Sequence, residues 1–165
     1  MNRTIILIFG LLISFLSYSQ ENDSIPEYLK LTENDSVYLK AMEKYIIEID
    51  SFYNKYSQNK QPKQIYIQSQ NYLSKLPNKI NGYEIIKLGL ANRKEYFRKN
   101  KNTLRLVEIT PLTIKDGRFQ IILTPYFAEL KSKNELFLEL SDWTIVFFEL
   151  KNGKLIYTET ENGGI

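Results

Sequence analysis

The chain holds neither cysteine nor histidine. Without cysteine no disulfide can form, so the fold rests on its core alone even in an oxidising compartment. The same absence excludes a lipid attached to a cysteine behind a leader. Without histidine, Ser-His-Asp and Cys-His nucleophilic triads are impossible, as are zinc sites of the His or Cys type. An enzyme built from these residues would have to use carboxylates, Lys or Tyr with pKa values moved by burial. Glycine is scarce too: seven residues, spread singly apart from Gly163-Gly164, make no phosphate-cradling loop. Nor is one sign of charge in large excess. Lys and Arg number 22 against 19 acids, a net +3, whereas a nucleic-acid binder is expected to be distinctly basic. We expect no nucleic-acid partner, no metal site and no cofactor.

The one long apolar run stands at the start. Arg3 precedes an apolar core from Ile5 to Leu16, broken only by Gly10 and Ser14, and Ser17-Tyr18-Ser19 leads into a polar QENDS. A spanning helix needs about 20 mostly apolar residues; a shorter core with a small-residue exit is the layout of a secretory signal. The expectation is cleavage between Ser19 and Gln20 and an exported protein, periplasmic or secreted, with no lipid anchor and no transmembrane segment in the mature chain. An uncleaved anchor is the rival reading. Removal of 19 residues from 165 leaves 146, enough for one domain burying roughly 68–70% of the surface its unfolded chain exposes.

Residues 20–35 read as a flexible polar leader and 36–165 as a single α+β domain. From Ser36 to Tyr56 the apolar positions Tyr38, Met42, Tyr45, Ile49, Phe52 and Tyr56 recur every three or four residues, the period of an amphipathic helix. Asn34-Asp35-Ser36 supplies capping residues, and Lys44 can pair with Glu48 one turn on. The period then becomes strand-like at 63–69 and 83–90. Asp116-Gly117 and Asn152-Gly153 each separate two β-branched or aromatic runs, the signature of a hairpin. Pro111 and Pro125 belong at strand ends, edges or bulges. The run 143–148 is apolar on both faces and reads as a central strand. The expected fold is therefore α+β: a long N-terminal helix packed on a curved antiparallel sheet of about five strands.

That element order resembles the cystatin-like and NTF2-like architectures. The Gln-x-Val-x-Gly loop with which cystatins enter proteases is missing, since Gln64-Ile65-Tyr66-Ile67-Gln68 has no glycine. The C-terminal texture, SDWTIVFFEL-KNG-KLIYTET-ENGGI behind a signal-like start, resembles small exported bacterial proteins of an uncharacterised family. That resemblance implies export and assigns no functional residue.

The candidate sites are few. Arg93, Lys94, Arg98, Lys99 and Lys101, interleaved with Tyr96 and Phe97, could grip an anionic polysaccharide with rings available to stack; a solvated connection whose rings dip into the core is the plainer alternative. Ser24 and Ser36 stand in Asp-Ser-aliphatic triplets that resemble acceptors of bacterial O-glycans. Ser57-Gln58-Asn59-Lys60 matches Ser-x-x-Lys without its companion motifs. Glu108, Glu129, Glu135, Glu139, Glu149, Glu159 and Glu161 are scattered along the sheet half, and spacing alone cannot place two across a cleft. Trp143 suits either a sugar-stacking surface or a core position against Tyr45, Ile49 and Phe52. The function expected is an exported, soluble, non-catalytic binding module for a small ligand or envelope protein. The alternative is a carboxylate-based hydrolase of envelope or extracellular glycans.

Overall fold

Thr32 decides where the first helix begins. In the computed structural model, which describes residues 30–56, 63–132, 135–140 and 142–164, helix α1 spans Glu33–Tyr56. Asp35 N donates to Thr32 Oγ1 at 3.2 Å, and Thr32 N and its hydroxyl donate to Asp35 Oδ2 at 2.7 and 2.6 Å. This reciprocal bonding of the first turn is a capping box. It starts the helix at Glu33, so Asn34, Asp35 and Ser36 form its first turn and do not precede it.

Behind α1 come β1 (Gln64–Gln68), a short 3-10 turn (Asn71–Leu73), β2 (Lys79–Ile80), β3 (Tyr83–Leu88) and a second helix, α2 (Arg93–Lys99). The antiparallel half follows: β4 (Thr103–Ile109), β5 (Thr113–Lys115), β6 (Arg118–Leu130), β7 (Leu136–Leu140), β8 (Asp142–Lys151) and β9 (Lys154–Gly164). Among the described residues the sheet has nine strands in the order β2-β3-β1-β4-β6-β8-β9, with β5 and β7 also paired to β6. It is larger than the five strands expected. It is also mixed, because β1 runs parallel to both β3 and β4. Two connections make this possible: residues 69–78 lead back to a β2–β3 hairpin, and α2 carries the chain over β1 to β4.

The two hairpins expected from the sequence form where Asp116-Gly117 and Asn152-Gly153 stand. Asp116 and Gly117 take φ of 50° and 77°, and Asn152 and Gly153 take 53° and 77°. Positive φ at both central residues is what a tight two-residue hairpin requires. Pro111 lies between β4 and β5, off the ladder. Pro125 is deeply buried within β6, between Leu123, where pairing with β8 ends, and Tyr126, where pairing with β7 begins. Pro111 is thus outside the ladder, and Pro125 stands where, among the described residues, β6 is unpaired on its β7/β8 side while its register with β4 runs on through Val107.

One face of the sheet carries α1. Val37, Tyr38, Ala41, Met42, Tyr45 and Ile46 pack on Ile65, Ile67, Val107, Ile121, Leu123 and Val146, all buried. The other face has a smaller core in which Phe97 of α2, fully buried, meets Leu88, Leu104, Leu106 and Ala128. Among the described residues no helix is long and apolar enough to cross a membrane.

The last third of α1 leaves the core, contrary to the apolar spacing: Ile49 is half-buried and Phe52 is 57% exposed. A helix of 24 residues runs about 36 Å at 1.5 Å per residue, and a β-sheet beneath a helix of that length twists away from its axis. Below Tyr66 and Leu106, moreover, β1 and β4 no longer pair. Helix and sheet therefore diverge and leave space between them.

Candidate functional site

That space is a cleft of about 500 Å³ under the C-terminal half of α1, lined by Tyr45, Glu48, Ile49 and Phe52 of the helix and by Arg105, Asp142, Thr144 and Asn162 of the sheet. A smaller hollow of about 210 Å³ continues it toward the split between β1 and β4, sharing Tyr45, Ile49 and Arg105. Alternation along β4 explains the guanidinium on the floor: Leu104 and Leu106 face α2, so Arg105 joins Val107 and Ile109 on the α1 face. A charge at an inward position was the one sequence signal for this site, and it was missed.

The polar groups of the cleft hold one another. Arg105 Nη2 donates to Asp142 Oδ1 and Oδ2 at 3.0 and 2.7 Å. Thr144 Oγ1 donates to Asn162 Oδ1 at 2.8 Å, and Asn162 Nδ2 donates to Glu48 Oε2 at 2.8 Å. Glu48 is thus held from β9, and Lys44, expected to pair with it, instead lies 4.0 Å from the centroid of the Tyr157 ring. Toward the β2–β3 end of the sheet, Tyr83 Oη donates to Asp50 Oδ1 at 2.5 Å and anchors the helix to β3. The cleft is preformed: an apolar wall, one ion pair, and an amide between a hydroxyl and a carboxylate.

No protein-family model matches the chain, and neither a curated protein nor a solved structure is significantly similar to it.

Of the residues singled out from the sequence, Trp143 borders this cleft together with Tyr45, Ile49 and Phe52; the basic stretch and the scattered carboxylates lie elsewhere. Arg93, Lys94, Tyr96, Arg98 and Lys99 belong to helix α2, and Lys101 to the turn behind it. Tyr96 packs edge-on against Tyr66, ring centroids 5.9 Å apart, and Phe97 is core. Arg93 is half-buried beside a small pocket with Leu88 and Phe97. Lys94, Arg98, Lys99 and Lys101 are exposed. Lys99 Nζ donates to Glu95 at 2.5 Å; this bond and the attraction behind it hold the Glu95 carboxyl below, and the Lys99 ammonium above, their ordinary pKa values.

Ser36 is exposed in the first turn of α1, its hydroxyl donating to Thr32 O at 3.0 Å; Ser24, the Ser57-Lys60 motif and the signal-like start lie outside the described residues. Of the scattered carboxylates, Glu159 and Glu161 pair with Arg118, Glu129 with Lys131 and Glu149 with Lys151, and none of the seven lines the cleft. Trp143 does open β8, but half-buried and outside the core cluster. Asp142 and Thr144 face α1 and alternation turns the Trp143 side chain away from that helix, so Trp143 borders the cleft beside Gly163 and Gly164. Its ring covers Gly163, where an added Cβ would lie 2.5 Å from Cε2.

Proposed function

We propose that this chain is an exported, non-catalytic binding module whose ligand occupies the cleft under the C-terminal half of α1. The observation that carries the reading is the joining of an apolar wall, Tyr45, Ile49 and Phe52, to a polar lining whose charges balance, Lys55 and Arg105 against Glu48 and Asp142. Binding sites are concave, mostly apolar, and supplied with a few convergent polar groups. The balance of charge favours a neutral ligand with hydrogen-bonding groups on a compact frame, such as a sugar, over an ion. Export is supported by the signal-like layout of the first 19 residues.

Saturation-transfer NMR with a panel of mono- and disaccharides and aromatic amides tests the reading. Signals lost in Phe52→Ala and Arg105→Gln would uphold it; signals indifferent to both changes would place the ligand elsewhere, and no signal from any probe would remove the support. Glu48 and Asp142 facing one cleft give the hydrolase reading its only foothold. Release of nitrophenol from nitrophenyl glycosides, abolished by Glu48→Gln, would favour it.

A further inference from the structure

We propose that the outer edge of β9, together with the flank of α1 beside it, is a docking trough for an extended, acidic polypeptide segment that adds to the sheet as a further strand. The proposal rests on the binding reading above, because the cleft forms one end of the trough.

Strand β9 runs eleven residues, Lys154–Gly164, and among the described residues it pairs with β8 alone. In an antiparallel ladder alternate N–H and C=O groups point outward, so its far side is a row of groups ready to pair. Edges of this kind are normally short or blunted, and this one is about twice the usual strand length. One bulge, near Tyr157 and Glu159, interrupts it.

Beside this edge α1 runs in the same direction as β9. Lys44 meets Tyr157 and, four residues on, Glu48 meets Asn162. On either side of these two contacts the helix and strand stand apart. The cleft already described lies at the Gly164 end. At the Lys154 end a hollow of about 710 Å³ is lined by Leu31, Val37, Lys40, Lys44, Lys154 and Ile156, among others. Those three lysines outnumber the two carboxylates beside them, Glu33 in the lining and Glu43, which is paired with Lys40.

Each feature specifies a property of the occupant. The free backbone edge selects an extended chain, since only a strand can satisfy its alternating donors and acceptors, and a groove between sheet edge and helix is a recurrent way of binding one. The lysine excess selects acidic residues at the Lys154 end. Centres of the two hollows lie about seven residues apart along β9, roughly 23 Å at about 3.3 Å per residue. Side chains share a face only at even spacings, so the apolar anchors of the segment stand six or eight positions apart.

A fluorescein-labelled ten-residue peptide tests this, with two Asp at one end, Leu and Phe six positions apart, and Thr and Val elsewhere. Expected are saturable binding to the full chain, slowed hydrogen exchange at those β9 amides not bonded to β8, and about tenfold weaker binding to Lys154→Glu, an exposed change that leaves the fold intact. Equal binding of the same peptide N-methylated at alternate amides would overturn strand addition, because side-chain contacts would survive the loss of the ladder. Exchange protection of β9 that grows with protein concentration in the absence of peptide would overturn the proposal in favour of a second copy. No binding at millimolar peptide, while small probes still enter the cleft, would overturn the trough and leave the binding reading standing.

Discussion

Arg105 on β4 and Asp142 at the start of β8 are joined across the intervening strand β6, with Nη2 2.7 Å from Oδ2, although 37 residues separate them. The pair fixes the floor of the cleft. Its side chains are 34% and 45% exposed, so solvent screens the attraction and its net worth is small. In a double-mutant cycle with Arg105→Gln and Asp142→Asn, urea denaturation is expected to give a coupling energy of about 0.5–1 kcal/mol. A coupling above about 3 kcal/mol would mean that the pair works as a buried one.

Gly163 and Trp143 are directly paired across β8 and β9. A methyl group at Gly163 would meet the indole at 2.5 Å, so Gly163→Ala must push the ring off the sheet. Red-shifted tryptophan emission and a loss of about 1–3 kcal/mol are expected, as in other overpacked sites. Unchanged emission and stability would show that the ring does not rest there.

Asp35 sets a pH dependence. Partial burial works against its charged form, but the bonds from the Thr32 hydroxyl and amide, helped by Lys75 at 3.7 Å, outweigh that and hold its pKa below the ordinary value. A lowered folded-state pKa contributes stability that is complete above the unfolded value of about 3.9 and lost as the pH falls through the folded value. Asp35→Asn should therefore cost about 1 kcal/mol near neutrality. Its difference from the wild type should shrink as the pH is lowered below about 4, and chemical denaturation at a series of pH values reads this directly. A constant difference would remove the carboxylate from the cause.

Phe97 and its charged neighbours on α2 separate the two readings of the basic stretch. Phe97→Ala, at a fully buried site, is expected to cost about 3–5 kcal/mol. Arg98→Glu with Lys99→Glu, both exposed, should leave the melting temperature nearly unchanged. If the stretch also binds polyanions, that double variant alone abolishes retention on an anionic polysaccharide column at low salt; equal retention leaves α2 as a solvated helix pinned by Phe97.

The sequence by itself determined the features that depend on near neighbours. Helix α1 follows from the three-to-four spacing of Tyr38, Met42 and Tyr45, and the two hairpins from Asp116-Gly117 and Asn152-Gly153, because spacing and turn conformation are settled within a few residues. The missing cysteine and histidine excluded whole chemistries outright. Tertiary structure alone decided that β1 lies parallel between β3 and β4, that residues 93–99 coil into a helix on the far face, and that Leu136–Leu140 pairs with β6. Pairing partners of a strand are chosen by edges distant in sequence, and a period of two says which face is apolar without saying which neighbour lies alongside. The cleft belongs to this second group. Tyr45, Arg105, Asp142 and Asn162 carry no shared motif; they meet because a long helix and a twisted sheet diverge.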